Sequence, residues 1–175
     1  MVKRKATQIG NPIIRKKSQK VGKVSSKTVI KVVKDLTDSM RFYGLIGMAA
    51  SQIGLSLRVF VTEVRKTKTR KPKEVDLLRV YINPRVISFS KDQSIGYEGC
   101  GSVAFGQLFG PVKRSKGIVI KAQNGDGKIF TLRTSGLLAR VIQHEMDHLN
   151  GIVYLDKVTD MRKLMNRDEY IKRMR

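Results

Sequence analysis

The chain has 175 residues, enough for one domain with a real core, and its 41% hydrophobic content excludes pervasive disorder. No apolar run approaches the ~18 residues of a membrane span. The charged start Met1-Val2-Lys3-Arg4-Lys5 leads into no apolar stretch of a secretory signal. A single cysteine excludes an intrachain disulfide and suits a reducing cytoplasmic setting.

Lys+Arg of 36 against Asp+Glu of 14 gives a net charge of +22, and the excess is uneven. No acidic residue precedes Asp35, a second basic run covers Arg65 to Lys73 in an expected loop, and a third ends the chain at Lys172-Arg173-Met174-Arg175. Such runs suit a polyanion such as RNA, or simply a solvated surface. No aromatic residue interleaves them, so a base-stacking platform is not indicated.

In chain order, Gln8 to Lys17 mixes turn formers and basic residues around Pro12 and reads as an irregular arm. Ser25 or Ser26 can cap a helix whose apolar positions Val29, Val32, Val33, Leu36 and Met40 repeat with helical spacing. Gly44 to Gly54 is small and apolar, with Gln52 as its main polar group. Strands are expected over Arg58–Val64, over Leu77–Asn83 ending at Pro84, and over Val86–Phe89. Gly117–Ala122 and Lys128–Arg133 flank Asn124-Gly125-Asp126-Gly127, which is hairpin chemistry. Thr134 or Ser135 can then cap a core helix that runs to about Asn150 and stops at Gly151. A last amphipathic helix is expected after Asp160. The pattern predicts an α+β fold, one domain over 1–175, with antiparallel strands packed around a central helix and basic segments at both ends.

That central helix carries His144-Glu145-Met146-Asp147-His148. Histidines four apart share a helical face, so both rings can reach one ion, and Glu145 is placed to take a proton from water on it. These are the only two histidines, and the only cysteine, Cys100, lies in a glycine-flanked turn, Tyr97-Glu98-Gly99-Cys100-Gly101-Ser102. A catalytic site wants three protein ligands and an open position. A metzincin-like third histidine is absent, because Tyr154 stands there. A thermolysin-like carboxylate at Asp168 or Glu169 survives on spacing. Cys100 is the best choice, and its thiolate suits iron or zinc.

With Cys100 added, the sequence resembles the peptide deformylases. Three segments carry the match: Gly47-Met48-Ala49-Ala50-Ser51-Gln52-Ile53-Gly54, Glu98-Gly99-Cys100-Gly101-Ser102, and Gln143 to Gly151. Gln8-Ile9-Gly10-Asn11-Pro12 and Ile82-Asn83-Pro84 also look like family signatures. The resemblance implies a hydrolase that removes the N-formyl group from the initiator methionine of nascent chains, releasing formate. It implies Cys100, His144 and His148 as ligands of one divalent ion, iron(II) first, with zinc, nickel or cobalt as substitutes. Glu145 would be the acid/base and Gln52 an oxyanion donor, joined by the backbone N–H of Gly101. Backbone groups at Ile46 and Gly47 would pair with the extended substrate, and Leu137 and Val141 would line the methionine pocket. The implied protein is a monomer whose basic arm and tail contact the ribosome. Readings of another class are a metallopeptidase using Asp168 or Glu169, and a non-catalytic homologue that docks on RNA.

Three positions depart from the family pattern. Gly101 stands where leucine is usual, Ser51 replaces a proline, and Leu45 replaces the first of two paired glycines. None removes a ligand or the base, so they bear on substrate affinity and specificity. A left-handed backbone at position 45 would cost leucine about 1–2 kcal/mol.

Overall fold

A computed structural model describes residues 4–67 and 72–174. Residues 68–71 of the second basic run and Arg175 of the tail lie outside them. The arm is less irregular than expected: Asn11 accepts from the Ile13 N–H, Pro12 supplies a pre-set first position, and a short helix α1 follows at Pro12–Arg15. Ser26 caps the second helix, α2 (Lys27–Phe42), by accepting from the Val29 N–H. Its stripe of Val29, Val32, Leu36 and Met40 is buried.

Three strands follow: β1 (Gly47–Ala49), β2 (Val59–Val64) and β3 (Asp76–Phe89). The strand expected to stop at Pro84 instead continues through it. The first half of β3 pairs with β2, and the second half pairs with β6 (Gly117–Gln123), with a register shift between Ile82 and Arg85. Proline sits where one ladder is exchanged for the next, so its missing N–H costs no ladder bond there. Asn83 adopts φ +51° at this point, and its side chain bonds the Val21 N–H and carbonyl, both at 2.8 Å.

β4 (Gln93–Gly99) and β5 (Leu108–Ser115) were not foreseen in the sequence. With the two-residue β8 (Met165–Asn166) they form a three-stranded sheet. β6 and β7 (Ile129–Ser135) form the expected hairpin across Asn124–Lys128. The larger sheet has the order β1-β2-β3-β6-β7, so β1 is an edge strand. The core helix is α3 (Gly136–Leu149); Ser135 takes the cap position without a side-chain bond, and Gly151 turns the chain away at φ +76°. The last helix, α4 (Arg167–Met174), begins later than expected, after a 3-10 turn at Met161–Lys163.

The start of β2, Val59-Phe60-Val61, is apolar on both faces because both are covered. Val59 and Val61 pack in the cluster with α2, whereas Phe60, one residue out of phase, packs with α3 residues Ala139, Ile142, Met146 and Leu149. A strand covered on both faces has no polar side to show. α3 also touches β5, so it lies between the large sheet and the small one. Its remaining residues face the turn that ends β4. Among the described residues, no helix is long and apolar enough to cross a membrane.

Candidate metal centre

Because α3 gives Ala139, Ile142, Met146 and Leu149 to the sheet, helical geometry turns Leu137, Val141, His144, Glu145 and His148 the other way. Opposite them lies Cys100, one residue beyond β4. Its turn is tied by the Val103 N–H to the Cys100 carbonyl at 3.0 Å and by the Ser102 N–H to Sγ at 3.4 Å. Gly99 must lack a side chain there, since a Cβ would stand 2.7 Å from the Phe109 ring.

The donor atoms of Cys100, His144 and His148 all lie within 4.8 Å of one another. Sγ is 3.1 Å from His148 Nε2, and the two imidazole centroids are 5.0 Å apart. Burial opposes ionisation of the thiol, but the His148 charge and hydrogen bonds to both imidazoles outweigh it and hold Cys100 well below the usual thiol range. Burial likewise disfavours a charged His144, and hydrogen bonds to Cys100 and Glu98 reverse that and raise it well above the usual value. A thiolate is the form that binds a cation. One thiolate and two imidazoles form a donor set that fits a divalent transition metal.

Glu145 is buried beside these donors, and its Oε2 has no hydrogen-bond partner. Burial pushes its carboxyl up to about 7 against the pull of the His144 and His148 charges. Gln52 approaches from the other side on a 3-10 turn, Ala50–Ile53. Its Oε1 accepts from the Ala49 N–H at 2.8 Å, which aims Nε2 at Cys100 Sγ, 3.5 Å away. The segment is tied down around Ser51, which is fully buried: the Thr7 N–H also bonds the Gln52 carbonyl at 2.8 Å. The N-terminal arm clips the opposite wall too, through Gln8 Nε2 to the Gly101 carbonyl at 2.8 Å and the Ile9 N–H to the Ser102 carbonyl at 2.8 Å.

A cavity opens in front of these groups. Ile46, Gly47, Gln52, Cys100, Gly101, Leu137, Val141, His144 and Glu145 border it, while His148 is fully buried behind. β1 turns its unpaired edge outward, although the Ile46 carbonyl already accepts from the Glu63 N–H at 2.9 Å. Asp168 and Glu169 do not reach the histidines; both are exposed on α4, and Glu169 pairs with Lys172. Leu45 is unstrained, because Gly44 takes the left-handed conformation at φ +65°.

The sequence reading missed the supports of the site. Glu98 Oε2 lies 2.9 Å from His144 Nδ1, which leaves Nε2 to face the centre. Arg114, itself 3% exposed, grips both Glu98 oxygens at 2.8–2.9 Å and reaches Asp147 at 2.5 Å. Lys157 closes the network on Asp147 Oδ1 at 2.6 Å, and Arg140 Nη1 bonds Glu98 Oε1 at 2.8 Å. Glu98 is held far below the usual carboxylate range, since Arg114 and His144 overcome its burial. The available signal was that both carboxylates sit inside the cysteine and histidine motifs of an acid-poor chain.

An α+β fold that buries a Cys-His-His cluster beside a buried carboxyl is the arrangement of a metal-dependent hydrolase. A sequence profile described as Polypeptide deformylase matches residues 3–164. The chain belongs to that family, hydrolases of nascent formyl-methionine peptides. Peptide deformylase of Dictyoglomus thermophilum is 39% identical over 157 residues, covering 90% of this chain and 94% of its own. The crystal structure of peptide deformylase from Thermotoga maritima superposes with TM-score 0.81 at 30% identity, covering 91% of this chain and all of that one. A Met-Ala-Ser-bound class I type b peptide deformylase from Acinetobacter baumannii gives TM-score 0.83 at 27% identity, covering 89% and 99%.

Proposed function

We propose that Cys100, His144 and His148 hold one divalent cation, and that Glu145 is the acid/base for removal of the formyl group from formyl-methionine peptides. The observation that carries this reading is the buried Glu145 carboxyl, with Oε2 unpartnered beside the three donors. A divalent cation in this site supplies Lewis acidity, which makes water a usable nucleophile near neutral pH. Glu145 Oε2 takes the proton from the attacking water and delivers it to the departing amine. Charge that builds on the formyl oxygen meets the Gln52 Nε2 donor and the Gly101 N–H; one such donor is commonly worth roughly 3 kcal/mol. Glu98 keeps His144 in the tautomer that presents Nε2.

Substrate placement follows from the walls. Half-buried Leu137 and buried Val141, two turns and one turn before His144 on α3, form an apolar recess suited to the methionine side chain. The open edge of β1, with Gly47 at its start, offers backbone groups to an extended peptide. The Acinetobacter relative is a Met-Ala-Ser-bound structure, which supports a methionine-led peptide as the ligand class.

One thiolate and two imidazoles favour iron(II) or zinc over harder ions, and iron is our assignment, with nickel or cobalt as workable substitutes. The chain works as a cytoplasmic monomer whose basic surface, including Lys172 and Arg173 on α4, approaches ribosomal RNA. The test is formate release from formyl-Met-Ala-Ser by anaerobically purified protein with bound metal quantified. Glu145→Ala should abolish release while keeping the metal, and Cys100→Ser should lose the metal. Fully metallated wild-type protein that releases no formate would refute the reading. Binding to ribosomes should fall as salt rises.

A further inference from the structure

Two cavities meet at one thin wall. The first is the methionine recess. The second lies on the far side of Gly99, Cys100 and Gly101, with Tyr43, Phe105 and Phe109 around it. Leu45 borders both cavities, so its side chain belongs to the partition. Gly101, the residue beside the thiolate, contributes no side chain to that wall. A Cβ at Gly101 would stand 3.0 Å from Leu45 Cδ1, and nothing else lies within 4 Å of it. Leu45 thus occupies the space that a side chain at 101 would enter.

The backbone of Leu45 is firmly held. Its N–H bonds the Met40 carbonyl at 2.9 Å, and its carbonyl accepts from Arg65 Nη2 at 3.0 Å. Gly44 makes the left-handed turn that carries the chain from α2 to this place. On its inner side Leu45 packs against the core cluster under α2. A half-buried leucine fixed at both backbone groups, facing a residue without a side chain, is a wall rather than a mobile cover.

We propose that Leu45 is a specificity-determining residue. Filling the gap left by Gly101, it closes the methionine recess on the side of the second cavity and so excludes larger N-terminal side chains. This rests on the deformylase reading of the same site. Removing the wall joins the two cavities, and a bulkier residue then gains room next to the donors. A pocket contact of this size commonly changes selectivity by about 10-fold or more.

The experiment is a cycle at positions 45 and 101 in the metal-loaded protein. It measures formate release from formyl-Met-Ala-Ser and formyl-Phe-Ala-Ser, together with metal content and thermal midpoint. Leu45→Ala should lower the methionine-over-phenylalanine ratio of kcat/KM by about 10-fold, through KM, at unchanged metal content. Gly101→Leu in the presence of Leu45 forces two side chains into one space and should lower both kcat/KM and the thermal midpoint. Combined with Leu45→Ala, the leucine at 101 has room, and selectivity and midpoint should return toward wild type. An unchanged ratio in a metallated, active Leu45→Ala protein would overturn the proposal. So would equal damage from Gly101→Leu in both backgrounds, within about twofold. If wild-type protein released no formate, the deformylase reading would fall and specificity with it. The midpoint cycle needs no turnover, and it would still decide whether residues 45 and 101 share one space.

Discussion

Replacing Gly47 with alanine should lower turnover sharply in a protein that still folds. Gly47 is paired with Thr62 in the sheet and does not use a left-handed backbone, so alanine brings no conformational strain. Its Cβ, however, would lie 2.5 Å from Glu145 Oε1 and 2.7 Å from Val141 Cγ1. Ordinary contact begins near 3.4 Å, so the carboxylate must retreat by about 0.9 Å and the valine methyl by about 0.7 Å. Overpacking on this scale costs about 1–3 kcal/mol, a midpoint lower by roughly 3–10 °C in a chain of this size. For the reaction, a misplacement near 1 Å is commonly worth about 100-fold. We expect kcat to fall by about that factor with metal content unchanged, read from initial rates of formate release and a parallel thermal melt. A Gly47→Ala protein with nearly wild-type kcat would refute the inference that Glu145 must stay where it is.

Glu98→Gln should weaken metal affinity by about 10- to 100-fold, because the His144 tautomer loses its carboxylate. It should also cost about 3 kcal/mol in urea denaturation, the lower end for a broken buried pair, since Arg114 keeps Asp147. Gly151→Ala should unfold at lower urea by at least about 2 kcal/mol: φ is +76°, and a Cβ would meet the Arg15 carbonyl oxygen 2.3 Å away, which is backbone. Glu63 is held below its ordinary value of 4.5, first by the Arg41 hydrogen bond, against its burial, and then by Arg65. Its folded pKa is depressed, so its contribution is present above 4.5 and fades as pH falls through the folded value. Urea midpoints at pH 5 and pH 3 should therefore fall further apart for wild type than for Glu63→Gln, and equal falls would contradict the pairing.

Much of the site was legible because its rules are local. Four-residue spacing puts His144 and His148 on one face of any helix, and α3 was readable from its apolar stripe and from Gly151. The same holds for α2, capped at Ser26, and for the hairpin over Asn124–Lys128. What escaped was non-local. β4 and β5 contain Gly96, Gly99, Gly110 and Pro111, so their propensity is poor, and they exist because each completes the other's ladder. Pro84 looked like a strand end because the sequence does not show that β3 changes partners there.

The sequence alone determined the chemistry available: one thiol, two imidazoles at helical spacing, a carboxyl between them and an amide in a small-residue segment. Tertiary structure decided the state of those groups. Burial raised Glu145 to about 7, the imidazoles lowered Cys100, and Arg114 gathered Glu98 and Asp147 from separate motifs. It also placed Leu45 in the space left open at Gly101. Which donor groups are available is a property of residue type and local spacing, whereas protonation, orientation and pocket shape depend on which distant residues the chain topology brings into contact.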